Sequence, residues 1–438
     1  MRANRSRIAW LLGVVTMAGV AAPMMAENWP QWRGPALNGS STETGLPDKF
    51  GATENVAWVA DVPGMGGGSP VVWEDYAFLA AQDANAAHKL WAICLNRADG
   101  KCRWKHPMGT GLANKMGNTG ASASPITDGK TVWFFYTQAV LTAFDMDGKQ
   151  LWQRDIPKDH GKIEILWDYG SSPLLYKGKM YVNVIQGSHT AKTPAEGFLL
   201  CLDPATGKDL WKHERPTDAI GESRQAYSTP YVFEGPGGGT QIVLTGGDHL
   251  TGHDASDGHE LWRSASYNRG KDHWWRTVPT VVTCGDVAIG CAPKGGPLFG
   301  VRTATGKRER DTAGSEVWTT RYNSPDVCTP LVYNGKLFVL DGDKKQLLCM
   351  DGATGKVDWK GDLPAKANFQ ASASGADGKI YCIDLAGEAF VVSAGEKFEV
   401  LHKAELAGAG CRSTIAIAGG QLFIRTTDKL YCVGKKKD

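Results

Sequence analysis

The 438 residues carry 48 lysines and arginines against 46 aspartates and glutamates, a formal charge of +2. A chain so close to neutral gives no electrostatic reason to expect nucleic acid or an anionic membrane surface as partner. Its 54 glycines and 16 tryptophans suit many tight turns between short aromatic strands, and no long Ala/Leu/Glu/Lys-rich helical stretch is visible.

In chain order, residues 1–26 read as a signal peptide. Arg2, Arg5 and Arg7 form a basic start, residues 8–22 an apolar run, and Met24-Met25-Ala26 a cleavage site. The run is short for a membrane span and no second one follows. The mature protein is therefore expected to be periplasmic or secreted and free of a membrane span, with retention of the segment as an anchor the alternative. There is no Arg-Arg pair, which favours the general secretory route. The first cysteine is Cys94, which argues against a lipid-anchored N-terminus. A leader follows at 27–54, and 435–438 is a solvated basic tail.

Between them, 55–434 reads as one repetitive domain. "CLDPATGKDLW" (201–211) recurs as "CLNRADGKCRW" (94–104), "AFDMDGKQLW" (143–152), "GHDASDGHELW" (252–262) and "CMDGATGKVDW" (349–359). A weaker copy at 300–310 has Arg310 in place of the tryptophan, and 391–400 is weaker still. Each copy is preceded by a small residue and a proline opening a β-rich run, as in "SPVVWEDYAFLA" (69–80), "SPLLYKGKMYVNV" (172–184) and "TPLVYNGKLFVLD" (329–341); the last two openings, at 372–384 and 413–425, lack the proline.

Eight openings, each followed by strand, turn, strand, loop, strand, Asp/Gly/Lys turn and a Trp-bearing strand, predict an all-β, eight-bladed propeller of four-stranded antiparallel blades. The last unit lacks its fourth strand, and "NVAWVADVP" (55–63) is such a strand with no unit before it. Pairing the two closes the ring and hides both edges. Seven blades is the alternative, because the seventh unit is degenerate. The Thr-Gly-Lys run is not a phosphate loop: the upstream glycine is missing and no helix follows Lys208.

These units resemble the pyrroloquinoline-quinone (PQQ) repeat family of propellers, carried by Asp-x-x-Thr-Gly-Lys-x-x-Trp at Asp203 to Trp211 and Asp351 to Trp359. The resemblance implies that Trp58, Trp104, Trp152, Trp211, Trp262 and Trp359 dock between neighbouring blades. Arg310 and the region near Glu399 depart from the pattern, so blades 5 and 7 are expected to pack differently. The family spans two functions, PQQ- and calcium-dependent dehydrogenases and a cofactor-free scaffold that resembles the lipoprotein of the outer-membrane β-barrel assembly machinery. Fold alone does not choose between them.

Cys94, Cys201, Cys349 and Cys432 share one repeat position with Ala143, Gly252 and Gly300, which marks a small buried slot. Cys94/Cys102 and Cys284/Cys291 flank hairpin turns and could pair across them. There is no CxxC, no haem-attachment motif and no adjacent cysteine pair, whereas PQQ alcohol dehydrogenases of the family carry a ring-forming vicinal disulfide. His249 and His253 would stand roughly 13 Å apart along a strand, so no metal site is expected.

The loops that lead into each blade converge on one mouth of the channel, and their aromatic and arginine content suits recognition. The expected ligand-binding set is Trp167, Asp168, Tyr169, Arg224, Gln225, Trp275, Arg276, Arg321, Asn323, Asp326, Asn368, Gln370 and Arg412, although Trp167, Trp275 and Trp318 could simply cap blades. The expectation is a monomeric, non-enzymatic binding or assembly scaffold with no cofactor, whose partner is an envelope protein, an extended peptide or a small anionic ligand. The alternative is a PQQ- and calcium-dependent dehydrogenase of alcohols or sugars, with Asp168 or Asp326 as calcium ligand and base.

Overall fold

The computed structural model describes residues 27–111, 118–191, 195–235, 239–303, 314–406 and 410–435. The signal-peptide segment and Arg310 lie outside the described residues. Thirty-two strands form eight separate four-stranded antiparallel sheets. Blades 1 to 7 occupy 71–110, 126–155, 174–217, 231–263, 282–323, 331–362 and 374–405. Blade 8 takes its three inner strands from 416–433 and its outer strand from Val56–Asp61, which pairs with Lys429–Val433. Eight blades are present, and the N-terminal strand closes the ring.

Local chemistry sets the hairpins. The first two strands of several blades join through two-residue turns with both φ angles positive: Lys177-Gly178, Asn334-Gly335, Asp377-Gly378 and Gly419-Gly420. Such turns match the twist of the paired strands. The outer hairpin is held differently. At Asp203 the carboxylate accepts from the Ala205 N–H at 2.9 Å and the Thr206 hydroxyl at 2.8 Å, while Gly207 N–H donates to the Asp203 carbonyl at 2.7 Å.

The glycine of that turn has a second role. A Cβ on Gly207 would meet the Trp152 ring of the preceding blade at 2.8 Å; the same holds for Gly100 on Trp58, Gly148 on Trp104, Gly258 on Trp211 and Gly355 on Trp318, at 2.3–2.7 Å. These five outer-strand tryptophans therefore lie flat against the next blade's turn, where only glycine leaves room. Most also donate their indole N–H into that turn, as Trp58 does to Arg97 O at 2.7 Å and Trp104 to Met146 O at 3.0 Å. Across the sheet each tryptophan faces a small residue: Cys94, Ala143, Cys201, Gly252, Gly300, Cys349 or Cys432.

Blade 5 corrects the sequence reading. Its docking residue is Trp318, which lies opposite Gly300 and donates to Gly352 O at 3.0 Å. Blade 7 does lack a tryptophan: His402 stands opposite Val391. The reason is topological, because blade 8 takes its outer strand from the N-terminus and so has no outer hairpin for a tryptophan to cover. The leader fills the gap, with Phe50 edge-on to His402 at 5.9 Å between ring centroids and its carbonyl 2.7 Å from the imidazole Nε2.

All ten cysteines are free thiols. The pairings considered for Cys94/Cys102 and Cys284/Cys291 are not made. A register shift sets Cys102 opposite Leu95, and Cys284 faces Val287 and not Cys291.

Blade 4 holds one carboxyl set to titrate near neutrality. Asp248 is fully buried with φ +68°, and Asn268 Nδ2 donates to both its oxygens at 3.1 and 3.3 Å. Burial pushes its pKa up to about 6, well above the ordinary aspartate range, with the Asn268 bond opposing. A raised carboxyl pKa means that the fold holds the proton more tightly than the unfolded chain. Its contribution to stability is thus complete below the unfolded pKa and is lost as pH rises through about 6. Asp248→Asn keeps the acceptor and tolerates positive φ. It should leave stability at pH 4 nearly unchanged and raise it at pH 8 by about 2–3 kcal/mol. Melting curves of both proteins across that pH range check this, and parallel curves would remove the assignment.

Candidate functional site

The eight inner strands surround an axis, and the residues just before them line a cavity of about 400 Å³. Two residues ahead of every first strand stands a serine or threonine: Ser69, Ser124, Ser172, Thr229, Thr280, Thr329, Ser372 and Thr414. Six junctions carry one repeated bond. Ser69 N–H donates to Ser124 Oγ, Ser124 to Ser172, Ser172 to Thr229, Thr229 to Thr280, Thr280 to Thr329 and Thr329 to Ser372, all between 2.8 and 3.1 Å. Where the ring closes, the Ser413 hydroxyl donates to Gly68 O at 3.0 Å. The small residue of the small-residue-plus-proline step is thus the link between neighbouring blades at the axis. In blade 5 that link is Thr280, two residues beyond Val278.

The leader supplies the floor. Trp29 pairs with Val72 of blade 1, Pro30 O accepts from Thr127 N–H of blade 2, and Gln31 bonds Leu175 of blade 3 in both directions. Arg33 then reaches the opposite side of the ring, donating to Pro330 O at 2.7 Å and Ala373 O at 2.8 Å of blades 6 and 7. Between these anchors the chain must cross the axis at Trp32, and Trp32 lines the cavity. Glu43 secures the strap beyond, accepting from Gly419 N–H at 2.6 Å and Gly420 N–H at 2.8 Å. These contacts sit on the side of the first inter-strand turns, so the cavity is floored there and faces the inlet loops.

Of the expected binding residues, Trp167, Asp168, Gln370 and Arg412 line the cavity together with Arg276. Asp326 stands behind Arg276 and holds it through two bonds of 2.8 and 2.7 Å. Burial works against both charges, but the paired bonds outweigh it, holding Arg276 above and Asp326 below their ordinary pKa ranges. Trp167 donates its indole N–H to Glu222 at 2.7 Å and its backbone N–H to the Tyr227 hydroxyl at 3.2 Å. Burial raises the Tyr227 pKa.

The remaining expected residues are placed elsewhere. Tyr169 is buried, donating to Asn183 O at 2.8 Å, and Gln225 bridges Leu166 N–H and Gly187 O. Arg224 is turned inward by the short 3-10 turn Gly221–Arg224 and donates to Ala219 O. Trp275 packs into the apolar core of blades 4 to 6, and Asn368 bonds Asp343 at 3.0 Å. Arg321 is exposed on the outer strand of blade 5, and Asn323 ends that strand. Lining residues outside the expected set include Trp32, Glu222, Tyr227 and Lys294. Glu222 and Tyr227 sit in an inlet loop whose sequence signal was sound; Trp32 carries no signal, because nothing in the leader's composition places it on the axis.

The cofactor implied by the family resemblance can be tested against these donors. Among the described residues no three His, Cys, Asp or Glu side chains converge to hold a metal ion. Both oxygens of Asp326 are engaged by Arg276, and no two cysteines are adjacent. The described side chains thus gather no carboxylate set for a calcium ion and no cysteine pair to lie over a quinone. Among the described residues, no helix is long and apolar enough to cross a membrane.

The family model described as outer membrane protein assembly factor BamB matches residues 50–197, 182–313 and 309–397. A polyvinylalcohol dehydrogenase of Sphingopyxis sp. (strain 113P3) is 28% identical over 167 residues, 35% of this chain and 23% of that enzyme. The match thus spans under a quarter of that relative's length. The crystal structure of BamB from Moraxella catarrhalis is similar at 12% identity and a TM-score of 0.59, covering 85% of this chain and 98% of that one. The quinohemoprotein alcohol dehydrogenase ADHIIG from Pseudomonas putida HK5 is similar at 13% identity and 0.62, covering 94% and 81%. At such identities both structures speak to the fold, and it is the family model, matching most of the sequence, that identifies the chain as a member of the PQQ-like repeat propellers described as outer membrane protein assembly factor BamB.

Proposed function

We propose that the chain acts, after export, as a non-enzymatic binding scaffold that holds a small ligand or an extended segment of an envelope protein in its axial cavity. The observation that carries this reading is the state of the charged groups in the wall. Arg276 and Asp326 satisfy each other, and Trp167 and Tyr227 brace the inlet loops. Arg412, half-buried in the lining, has no acceptor among the described residues. A wall of this kind offers recognition through a preformed pocket with few polar anchors. Among the described residues it gathers no three His, Cys, Asp or Glu side chains that could hold a metal ion.

A quinoprotein dehydrogenase is the second reading, favoured by the likeness to ADHIIG and by the polyvinylalcohol dehydrogenase match. Bound PQQ would supply hydride-accepting chemistry, but the wall lacks a calcium set to accompany it, and the first reading is preferred. Its test is photo-crosslinking from a reactive residue at Gln370 in intact envelopes. A discrete adduct is expected from that position and none from Lys360, on the outer strand of blade 6. Equal labelling from both positions would overturn the assignment of the cavity as the binding site.

A further inference from the structure

The ring order gives the cavity two poles. Glu222 leads into blade 4 and Arg412 into blade 8, four places apart in a ring of eight, so the two side chains line opposite walls. Each is incompletely satisfied. Glu222 is buried, and one of its oxygens accepts the Trp167 indole N–H at 2.7 Å with Arg276 Nε at 3.8 Å; the other takes no hydrogen bond from the described residues. Arg412 makes no hydrogen bond or ion pair with the described residues and is half-buried, and burial lowers its pKa. A charge partly withdrawn from water without a partner costs free energy. Two of opposite sign on facing walls would both be relieved by a single ligand carrying the complementary pair.

The surroundings narrow the class. Trp32 crosses the axis at the floor and Trp167 stands beside Glu222, giving flat apolar surface between the poles. The inter-blade ring leaves Ser124, Ser172, Thr229, Thr329 and Ser372 along the wall, with carbonyl and hydroxyl groups suited to a peptide backbone. A cavity of about 400 Å³ holds a few residues and not a folded domain. Extended, three residues span roughly 10 Å.

We propose that the cavity binds a short zwitterionic peptide across its axis, the carboxylate on Arg412, the ammonium on Glu222 and the chain over Trp32. This rests on the scaffold reading and gives it a ligand class. Both end contacts are charge-assisted hydrogen bonds, so losing either weakens binding roughly tenfold to a hundredfold.

Calorimetric titration of the mature protein with di-, tri- and tetra-alanine tests the proposal, beside N-acetyl and C-amide forms of each and sodium sulfate. One length is expected to bind, with either block costing at least tenfold. Arg412→Gln and Glu222→Gln should each cause a similar loss. Arg412→Gln should not change the melting point of the free protein, since the guanidinium has no partner among the described residues, whereas Gln at 222 keeps an acceptor for the Trp167 indole. If the acetylated peptide binds as well as the free one, or sulfate competes with equal affinity, the site is a plain anion pocket and the proposal is wrong. No binding by any of the three peptides also overturns it. Tight uptake of PQQ with calcium would instead remove the scaffold reading beneath it.

Discussion

Deleting residues 27–61 is expected to abolish cooperative folding, giving an aggregating chain or a melting point lower by more than 10 °C. The segment holds the outer strand of blade 8, where Trp58 pairs with Cys432 and Ala60 with Leu430. Without it the strand Lys429–Val433 becomes an open edge of apolar composition, a template for pairing between molecules. The same deletion strips the floor. Trp29 and Phe50 are each 0–1% exposed, and removing one fully buried large aromatic costs about 3–5 kcal/mol. Arg33 donates to carbonyls of two blades and Glu43 accepts from a third, so with the bonds of Trp29, Pro30 and Gln31 to blades 1 to 3 six blades also lose polar ties. Intrinsic fluorescence during urea unfolding, with light scattering, reads the outcome. A truncated protein unfolding at the midpoint of the intact one would show that the ring holds without its closing strand.

Trp318→Ala should have the next largest effect, a loss of about 3–5 kcal/mol. Its ring is nine-tenths buried between blades 5 and 6, and its indole N–H is satisfied by Gly352 O at 3.0 Å. The contact with Gly355 provides a sharper check. A Cβ there would lie 2.7 Å from the ring, and the backbone sits at φ +72°. Gly355→Ala should therefore cost about 1–2 kcal/mol from the backbone alone, with a further steric share that vanishes when Trp318 is already alanine. Thermal or urea unfolding of the two single variants and the double variant measures that coupling. Strict additivity would mean that the tryptophan does not dock on this turn.

Blade 5 also shows where the sequence stops being legible. Seven units place the tryptophan at a fixed distance after the Asp/Gly turn or lack it altogether, and that regularity made the fold readable, because each blade must solve the same packing problem against its neighbour. In blade 5 the connection before the outer strand is longer, which carries Trp318 out of the repeat spacing and leaves Arg310 in its place in the alignment. His402 departs for the opposite reason, since its blade faces the one junction without an outer hairpin.

The site was half legible. Trp167, Asp168, Arg276, Gln370 and Arg412 lie in inlet loops within a few residues of the axial serine or threonine, and proximity to that step carries them to the cavity. Arg224 and Gln225 are equally close in sequence, yet a 3-10 turn buries both. Which way a loop side chain faces depends on local φ/ψ that composition does not encode. Trp32 was illegible altogether, because its place on the axis follows from anchors 297 and 340 residues beyond Arg33, at Pro330 and Ala373. The free thiols make the same point, since the hairpin register sets Trp104 and not Cys102 opposite Cys94.

An axial cavity that recognises a partner and houses no redox cofactor should be indifferent to PQQ. Offering the purified protein PQQ with calcium, following the melting point, and then adding alcohols or sugars with an electron-accepting dye checks this. No stabilisation by the quinone and no dye reduction above a protein-free control are expected. A melting point raised by several degrees together with substrate-dependent dye reduction would contradict this reading and establish a quinoprotein dehydrogenase.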